Sequence, residues 1–321
     1  MNVGSPSAPT AEAVRAYLAE FLGDPAVVRL PRWLWLPLLH GVILPRRAPK
    51  SAALYQSVWT AQGSPLIAIT RAQRDALAAR LAPGVRVACG MRYGEPSIAR
   101  ALDELADCRE LVLVPLFPQW SGTTSGTVER AVRAALERRG DARPLRVSGA
   151  FFDDAGYLEA LATRVRETVG AVGADHYLFS FHGLPARYVA AGDPYQAQCA
   201  ATAAALARAL ELPRERWTLA YQSRFGRERW LEPYALDVVP ELARRFPRVA
   251  VACPGFVADC LETLEEVRLQ LGEIFRRAGG REWLVAPCLN DHPAWISALA
   301  ELARGDHAAL PSGPADGPTR R

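Results

Sequence analysis

Two groups of residues in this 321-residue chain have types and spacing suited to moving protons. The first is His182, which follows the apolar run 177–181 and precedes Gly183 and Pro185. A run that short, bounded by Gly173 and Gly183, predicts a buried strand. In α/β proteins ligands bind at the ends where such strands finish. An imidazole there titrates at about pH 6.5 and can accept a proton at neutral pH. A histidine that merely caps a strand would leave the same pattern. The second group is Asp259, Glu262 and Glu266, after Pro254 and Gly255. A helix starting near Asp259 would stack the three carboxylates on one face, a row about 10 Å long. Like charges so spaced cost a few tenths of a kcal/mol per pair. Asp259 recovers a similar amount from the helix dipole. Energetics therefore do not separate a working row from a solvated face opposite Leu261, Leu264, Val267 and Leu271.

The elements that must position these groups follow from the hydrophobic pattern. Short apolar runs at 66–69, 85–91 and 111–116 read as strands, with helical patterns at 71–81, 97–108 and 126–138. From about Leu145 the pattern begins again, with strands at 147–150, 177–181, 217–221 and 249–253. Alternation of this kind implies parallel βαβ units. The expected fold is α/β: two doubly wound lobes with parallel sheets and a cleft between them. The N-terminal lobe spans 1–144, the C-terminal lobe spans 145–303 and carries both groups, and 304–321 is a small, polar, proline-rich tail expected to be flexible. Thr10 is the expected cap of a first helix over 11–22.

Composition narrows the function. Hydrophobic residues are 50% and charged residues 22%, the balance of a globular protein. The net charge of +4 gives no electrostatic case for nucleic acid. The six cysteines are scattered with no C-x-x-C pair, which predicts buried thiols in a reducing compartment. No signal peptide is visible, and the longest apolar stretch, 30–44, contains Arg32 and His40 and is too short to span a bilayer. A cytoplasmic protein is expected. The segment 30–50 is tryptophan-bearing and ends in Arg46, Arg47 and Lys50. It reads equally as a buried helix hairpin or as an apolar lip at a bilayer interface, where tryptophans and flanking cations are favoured. There is no G-x-G-x-x-G after a strand, so no redox or nucleotide cofactor is implied.

Several motifs in order carry a resemblance. Ser180-Phe181-His182-Gly183-Leu184-Pro185 through Asp193-Pro194-Tyr195 resembles the histidine signature of the ferrochelatases, and the stretch from Pro254-Gly255-Phe256 to Glu266 resembles their second signature. Tyr221-Gln222-Ser223-Arg224 with Trp230-Leu231-Glu232-Pro233, Met91-Arg92-Tyr93-Gly94-Glu95-Pro96, the 116–124 segment and Asn290-Asp291 with Trp295 are similar to further family motifs. The resemblance covers residues 2 to about 302, far more than a lone pattern. It implies a chelatase-like fold of Rossmann-like lobes and a lyase of heme biosynthesis that inserts Fe²⁺ into protoporphyrin IX. His182 and Glu262 would be catalytic and metal-handling, and Asp259 and Glu266 a proton or metal relay. Arg46, Lys50, Tyr55, Arg92, Ser121 and Trp230 would contact the porphyrin; Arg92 could equally pair with a nearby carboxylate. Imidazole and carboxylate donors suit Fe²⁺ without trapping it.

The lip would rest on the inner membrane. No iron–sulfur cluster or other cofactor is expected, because four close thiolates are missing. Departures from the pattern are Phe181, a bulkier wall where the family has a small residue, Phe117 and Trp120 in place of tyrosines, Gln270 in place of an acid, and a first strand that is largely missing before Asn2-Val3-Gly4-Ser5-Pro6. The missing strand, Phe181 and the altered aromatic pair motivate one rival, a heme or porphyrin carrier without turnover. Retention of both His182 and Glu262 argues against it. The other rival is a chelatase for another metal or tetrapyrrole, which would place a second histidine beside His182, and none is so positioned.

Overall fold

The computed structural model describes residues 1–226 and 228–305, which divide into two units. One comprises Met1–Leu116 and Gly122–Ser148; the other takes Phe117–Ser121 and the chain from Gly149 onward. The expected tail beyond residue 305 lies outside the described residues.

The first unit opens on β1 (Asn2–Gly4), which pairs in parallel with β2 (Met91–Tyr93), so the first strand is present and short, not lost. Gly4 is required there: its φ is +108°, and a Cβ would come within 1.8 Å of the Tyr93 carbonyl oxygen. Between these strands lie α1 (Ala11–Gly23), α2 (Arg32–Leu38), a π-helical turn (Leu39–Ile43), α3 (Leu44–Val58) and α4 (Pro65–Ala78). Thr10 caps α1 as expected, accepting from the Ala13 N–H. The segment 66–69, read as a strand, is the first turn of α4. Pro65 stands at the helix start, where its missing N–H is no loss, and a four-residue apolar run does not by itself distinguish a strand from a buried helix face. Leu66, Ile67, Thr70 and Leu77 form that face.

After β2 come α5 (Ile98–Glu104), β3 (Leu111–Leu113), α6 (Ser125–Arg138) and β4 (Leu145–Val147), with β3 and β4 parallel. Met1 joins the two strand pairs. Its amino group donates to the Val114 carbonyl at 2.9 Å and its own carbonyl accepts from the Leu116 N–H at 2.8 Å, the spacing of a parallel ladder.

The second unit holds one four-stranded parallel sheet in the order β6-β5-β7-β8. Its elements run α7 (Ala155–Val169), β5 (His176–His182), α8 (Ala186–Ala190), α9 (Tyr195–Ala209), β6 (Trp217–Gln222), α10 (Ala235–Arg245) and β7 (Arg248–Ala252). A π-helix (Glu262–Leu271), α11 (Gly272–Arg277), β8 (Glu282–Val285) and α12 (Pro293–Arg304) complete it. Helices α7, α9 and α12 pack together, and α10 packs with the π-helix and α11. On the latter side Leu178, Val239, Leu242, Val251, Val267, Leu271 and Phe275 form one buried cluster. The chain leaves β5 toward β6 on one side and leaves β7 toward β8 on the other. The carboxyl ends of β5 and β7 are therefore a topological switch point, the place where open parallel sheets bind ligands.

Candidate active site at the switch point

His182 ends β5, and alternation along the strand puts it on the same face as Leu178 and Ser180. Phe181 points to the other face. It is wholly buried, near Tyr221 and 3.6 Å from where a Cβ on Gly255 would stand. It does not wall the histidine, contrary to the expectation from its bulk. The His182 ring sits 6.5 Å, centroid to centroid, from both Trp230 and Phe256. Gly183 permits this closeness, because a Cβ there would lie 2.9 Å from the Gln222 carbonyl oxygen and 3.0 Å from Trp230.

The imidazole is oriented by its neighbours. Its Nδ1 is 2.6 Å from the Gly183 carbonyl oxygen. A carbonyl only accepts, so Nδ1 carries the hydrogen and Nε2 presents its lone pair. The His182 carbonyl accepts from the Tyr195 hydroxyl at 3.0 Å, and β5 is locked to β6 by the Gly183 N–H donating to the Gln222 carbonyl at 2.8 Å. Gln222 is buried. Its side chain accepts from Ser180 Oγ at 2.6 Å and donates to the Glu262 backbone carbonyl at 3.5 Å, tying the strand that carries the histidine to the first turn of the carboxylate helix.

That helix is not the α-helix expected from sequence. Its i→i+5 bonding widens each turn, a form associated with functional sites. The wider turn keeps Glu262 near Glu266 but brings Glu265 against Gln270, whose amide donates to both Glu265 oxygens at 2.9 and 2.7 Å. Asp259 lies before the helix and outside the row. Its carboxylate accepts from Thr263 Oγ1 and Asn290 Nδ2, both at 2.8 Å, and its N–H donates to Asn290 Oδ1 at 2.9 Å. Glu266 is held by Ser223, which donates its N–H at 2.7 Å and its hydroxyl. Burial pushes the Glu266 carboxyl above the ordinary carboxylate range and Glu262 adds to the push, while the Ser223 hydrogen bonds and His182 pull the other way. His182, Glu262 and Glu266 thus share one electrostatic neighbourhood.

Beside it, burial holds the Cys260 thiol well above its usual range, and its interaction with Glu262 adds to that. Among the described residues no three His, Cys, Asp or Glu side chains form a ready metal cage.

The other residues singled out from sequence have other settings. Ser121 is buried and donates to Asp193 at 2.8 Å. In the first unit, Arg92 is held by Asp24 and by Thr127, and lies over the Tyr93 ring. This is the carboxylate pairing that was the second of its two readings. Burial tends to raise the Asp24 carboxyl, but hydrogen bonds from Ala26, Tyr93 and Thr127 with the Arg92 charge bring it below its ordinary value. Tyr55 is buried, edge-on to Trp59, while Arg46 and Lys50 are exposed on α3. In the sequence Gln222 and Ser223 stand out only as parts of a motif. Their position at the end of β6, beside the end of β5, is the signal that could have marked them.

Parallel sheets bearing an oriented imidazole and paired carboxylates at a switch point define a chelatase-type α/β protein. Solved structures of that class agree in fold. The sirohydrochlorin chelatase SirB from Bacillus subtilis subspecies spizizenii, in complex with cobalt, superposes with a TM-score of 0.55 at 10% identity, covering 77% of this chain and 91% of that one. CbiX, described as the terminal enzyme for siroheme biosynthesis in denitrifying bacteria, gives a TM-score of 0.50 at 21% identity, covering 77% and 96%. Sequence is more specific. The ferrochelatase family model matches residues 1–307. Ferrochelatases from Azoarcus sp. (strain BH72) and Edwardsiella ictaluri (strain 93-146) are 49% and 48% identical, over 95% and 94% of this chain and 86% and 95% of theirs. The chain belongs to the ferrochelatase family, whose reaction inserts ferrous iron into a porphyrin on the way to heme.

Proposed function

We propose that His182, Glu262 and Glu266 perform this insertion on protoporphyrin IX. Fe²⁺ replaces two pyrrole protons, so the reaction is redox-neutral and calls for no electron carrier. His182 Nε2 accepts the two pyrrole protons in turn, each leaving before the next arrives, while Glu262 orients the imidazole and holds the incoming iron briefly. Glu266, with its carboxyl pK raised, takes the proton onward. Trp230 and Phe256 offer aromatic walls to a flat macrocycle. What carries this reading is the His182 Nδ1 bond to the Gly183 carbonyl, which leaves the basic nitrogen available beside two carboxylates. Asp259 has a different role in this proposal: with both oxygens accepting hydrogen bonds, it anchors the turn before the helix.

Arg46 and Lys50 are the exposed cations proposed to meet porphyrin carboxylates or lipid phosphates, and Tyr55, buried on the same helix, is proposed to contact the macrocycle. Ser121 secures the loop that carries it. A cytoplasmic enzyme in peripheral contact with the inner membrane fits the exposed apolar face of α2; no helix among the described residues is long and apolar enough to cross a membrane.

The test is anaerobic assay of the purified protein with Fe²⁺ and either protoporphyrin or coproporphyrin. His182→Ala should abolish insertion while protoporphyrin still quenches protein fluorescence. Native-rate insertion by that variant would remove the histidine from the mechanism, and a preference for coproporphyrin would correct the substrate.

A further inference from the structure

Glu266 must discharge a proton before the next turnover; its side chain is only part-exposed, and the carboxylates beside it on the helix are already engaged. Toward the helix start, both Asp259 oxygens accept from Thr263 and Asn290. Toward the helix end, both Glu265 oxygens accept from Gln270. The residue bonded directly to the Glu266 carboxylate is Ser223. This residue is half-exposed, and with Gln222, Arg224, Tyr234, Leu236 and Asp237 it lines a pocket open to solvent. Its backbone has φ +65°, the left-handed region in which a side chain is strained and glycine is not. Glycine would keep the N–H bond to Glu266 without that strain. What serine adds is the hydroxyl, and the hydroxyl points at Glu266 Oε2.

Resting on the proposed role of Glu266, we propose that Ser223 is the outlet through which the Glu266 proton reaches water. The carboxyl O–H bond breaks as its proton moves to Ser223 Oγ. The original Ser223 O–H bond breaks as that proton passes to a water, or to a buffer base, in the pocket. Glu266 is left as a carboxylate and again accepts from the Ser223 hydroxyl, which restores the arrangement described above. One proton has moved outward and no electrons have changed hands.

The discriminating variant is Ser223→Gly in the full chain, because it removes only the hydroxyl and relieves the backbone. Its KM for protoporphyrin should match that of the parent, and its melting temperature should fall only slightly, because the relieved backbone offsets part of the lost hydroxyl bond. Its kcat for iron insertion at low buffer concentration should fall about a hundredfold, the lower end of what a positioned proton-transfer group contributes. Rising concentrations of imidazole buffer should restore the rate, and Ser223→Thr should keep most of it. A native kcat in Ser223→Gly at low buffer overturns the proposal. So does a loss that no buffer restores and that Ser223→Thr shares, since that marks a structural role. Inactive His182→Ala beside fully active Ser223→Gly would sink the outlet alone; His182→Ala at the native rate would sink the site on which it rests.

Discussion

At the scale of residues, the site depends on polar side chains that hold other polar side chains. Asn290 is the clearest case. It adopts φ +48°, donates to Asp259 and accepts from the Asp259 N–H, so one amide fixes the turn from which the π-helix starts. Removing it leaves buried Asp259 short of a charge-assisted partner. Loss of a hydrogen bond to a charged group costs about 1.5–3 kcal/mol, and Asn290→Ala also puts a Cβ-only residue at positive φ. Asn290→Gly separates the two effects, because glycine accepts that backbone freely. Denaturant unfolding should show both variants destabilised, Asn290→Ala the more so. The Asp259→Ala/Asn290→Ala double variant should lose clearly less than the two single losses added together. Additive losses would mean that the two side chains do not act as a pair.

At the scale of elements, β5 carries an imidazole at each end, about 20 Å apart at the rise of a strand. His182 stands at the carboxyl end. His176, at the other, stacks on Phe246 at 4.5 Å and bonds through Nε2 to Thr218 at 2.9 Å. Burial, then the charges of Arg245, Arg216 and Arg214, lower its pKa from 6.5 to about 4. Between those values the unfolded chain binds a proton at this position and the folded chain does not, so stability rises with pH through that window and its contribution is complete above pH 6.5. His176→Phe keeps the stacking and removes the titration. Its melting temperature should therefore vary less with pH across the window than that of the parent, and parallel curves would discard the assignment.

The same strand shows how much the sequence disclosed. An apolar run ending in histidine between glycines was enough to place β5 and His182. The acidic helix was less readable, because an α-helix and a π-helix share an apolar pattern over ten residues and differ in where carboxylates meet. Gln270 therefore looked like a gap in the row, when the wider turn makes it the partner of Glu265. The strand expected at 66–69 failed for a similar reason of length, and the Ser64-Pro65 start was the better signal.

At the scale of the whole molecule, the alternation of strands and helices was legible because parallel sheets need a crossover for every strand. The uncommitted feature is the segment 30–50. It forms α2, a π-turn and α3 in succession, with Trp35 buried and donating to the Leu22 carbonyl at 2.8 Å. Its other face turns outward: Trp33 is 79% and Leu34 53% exposed, with Leu38 and Val42 also uncovered. Burying a large apolar side chain is worth about 1.5–3 kcal/mol, so two such residues entering a bilayer interface favour binding by at least about tenfold. Arg46 and Lys50, exposed on the following helix, add about 1 kcal/mol each near an anionic surface. The full chain should therefore sediment with vesicles containing phosphatidylglycerol, less so as salt is raised. Trp33→Ser/Leu34→Ser should weaken that binding at least tenfold with little change in melting temperature, because both side chains are more than half exposed. Trp35→Ser should do the reverse and destabilise the fold, since that indole is buried and hydrogen-bonded. Equal vesicle binding by parent and double variant would mean that this face meets something other than lipid.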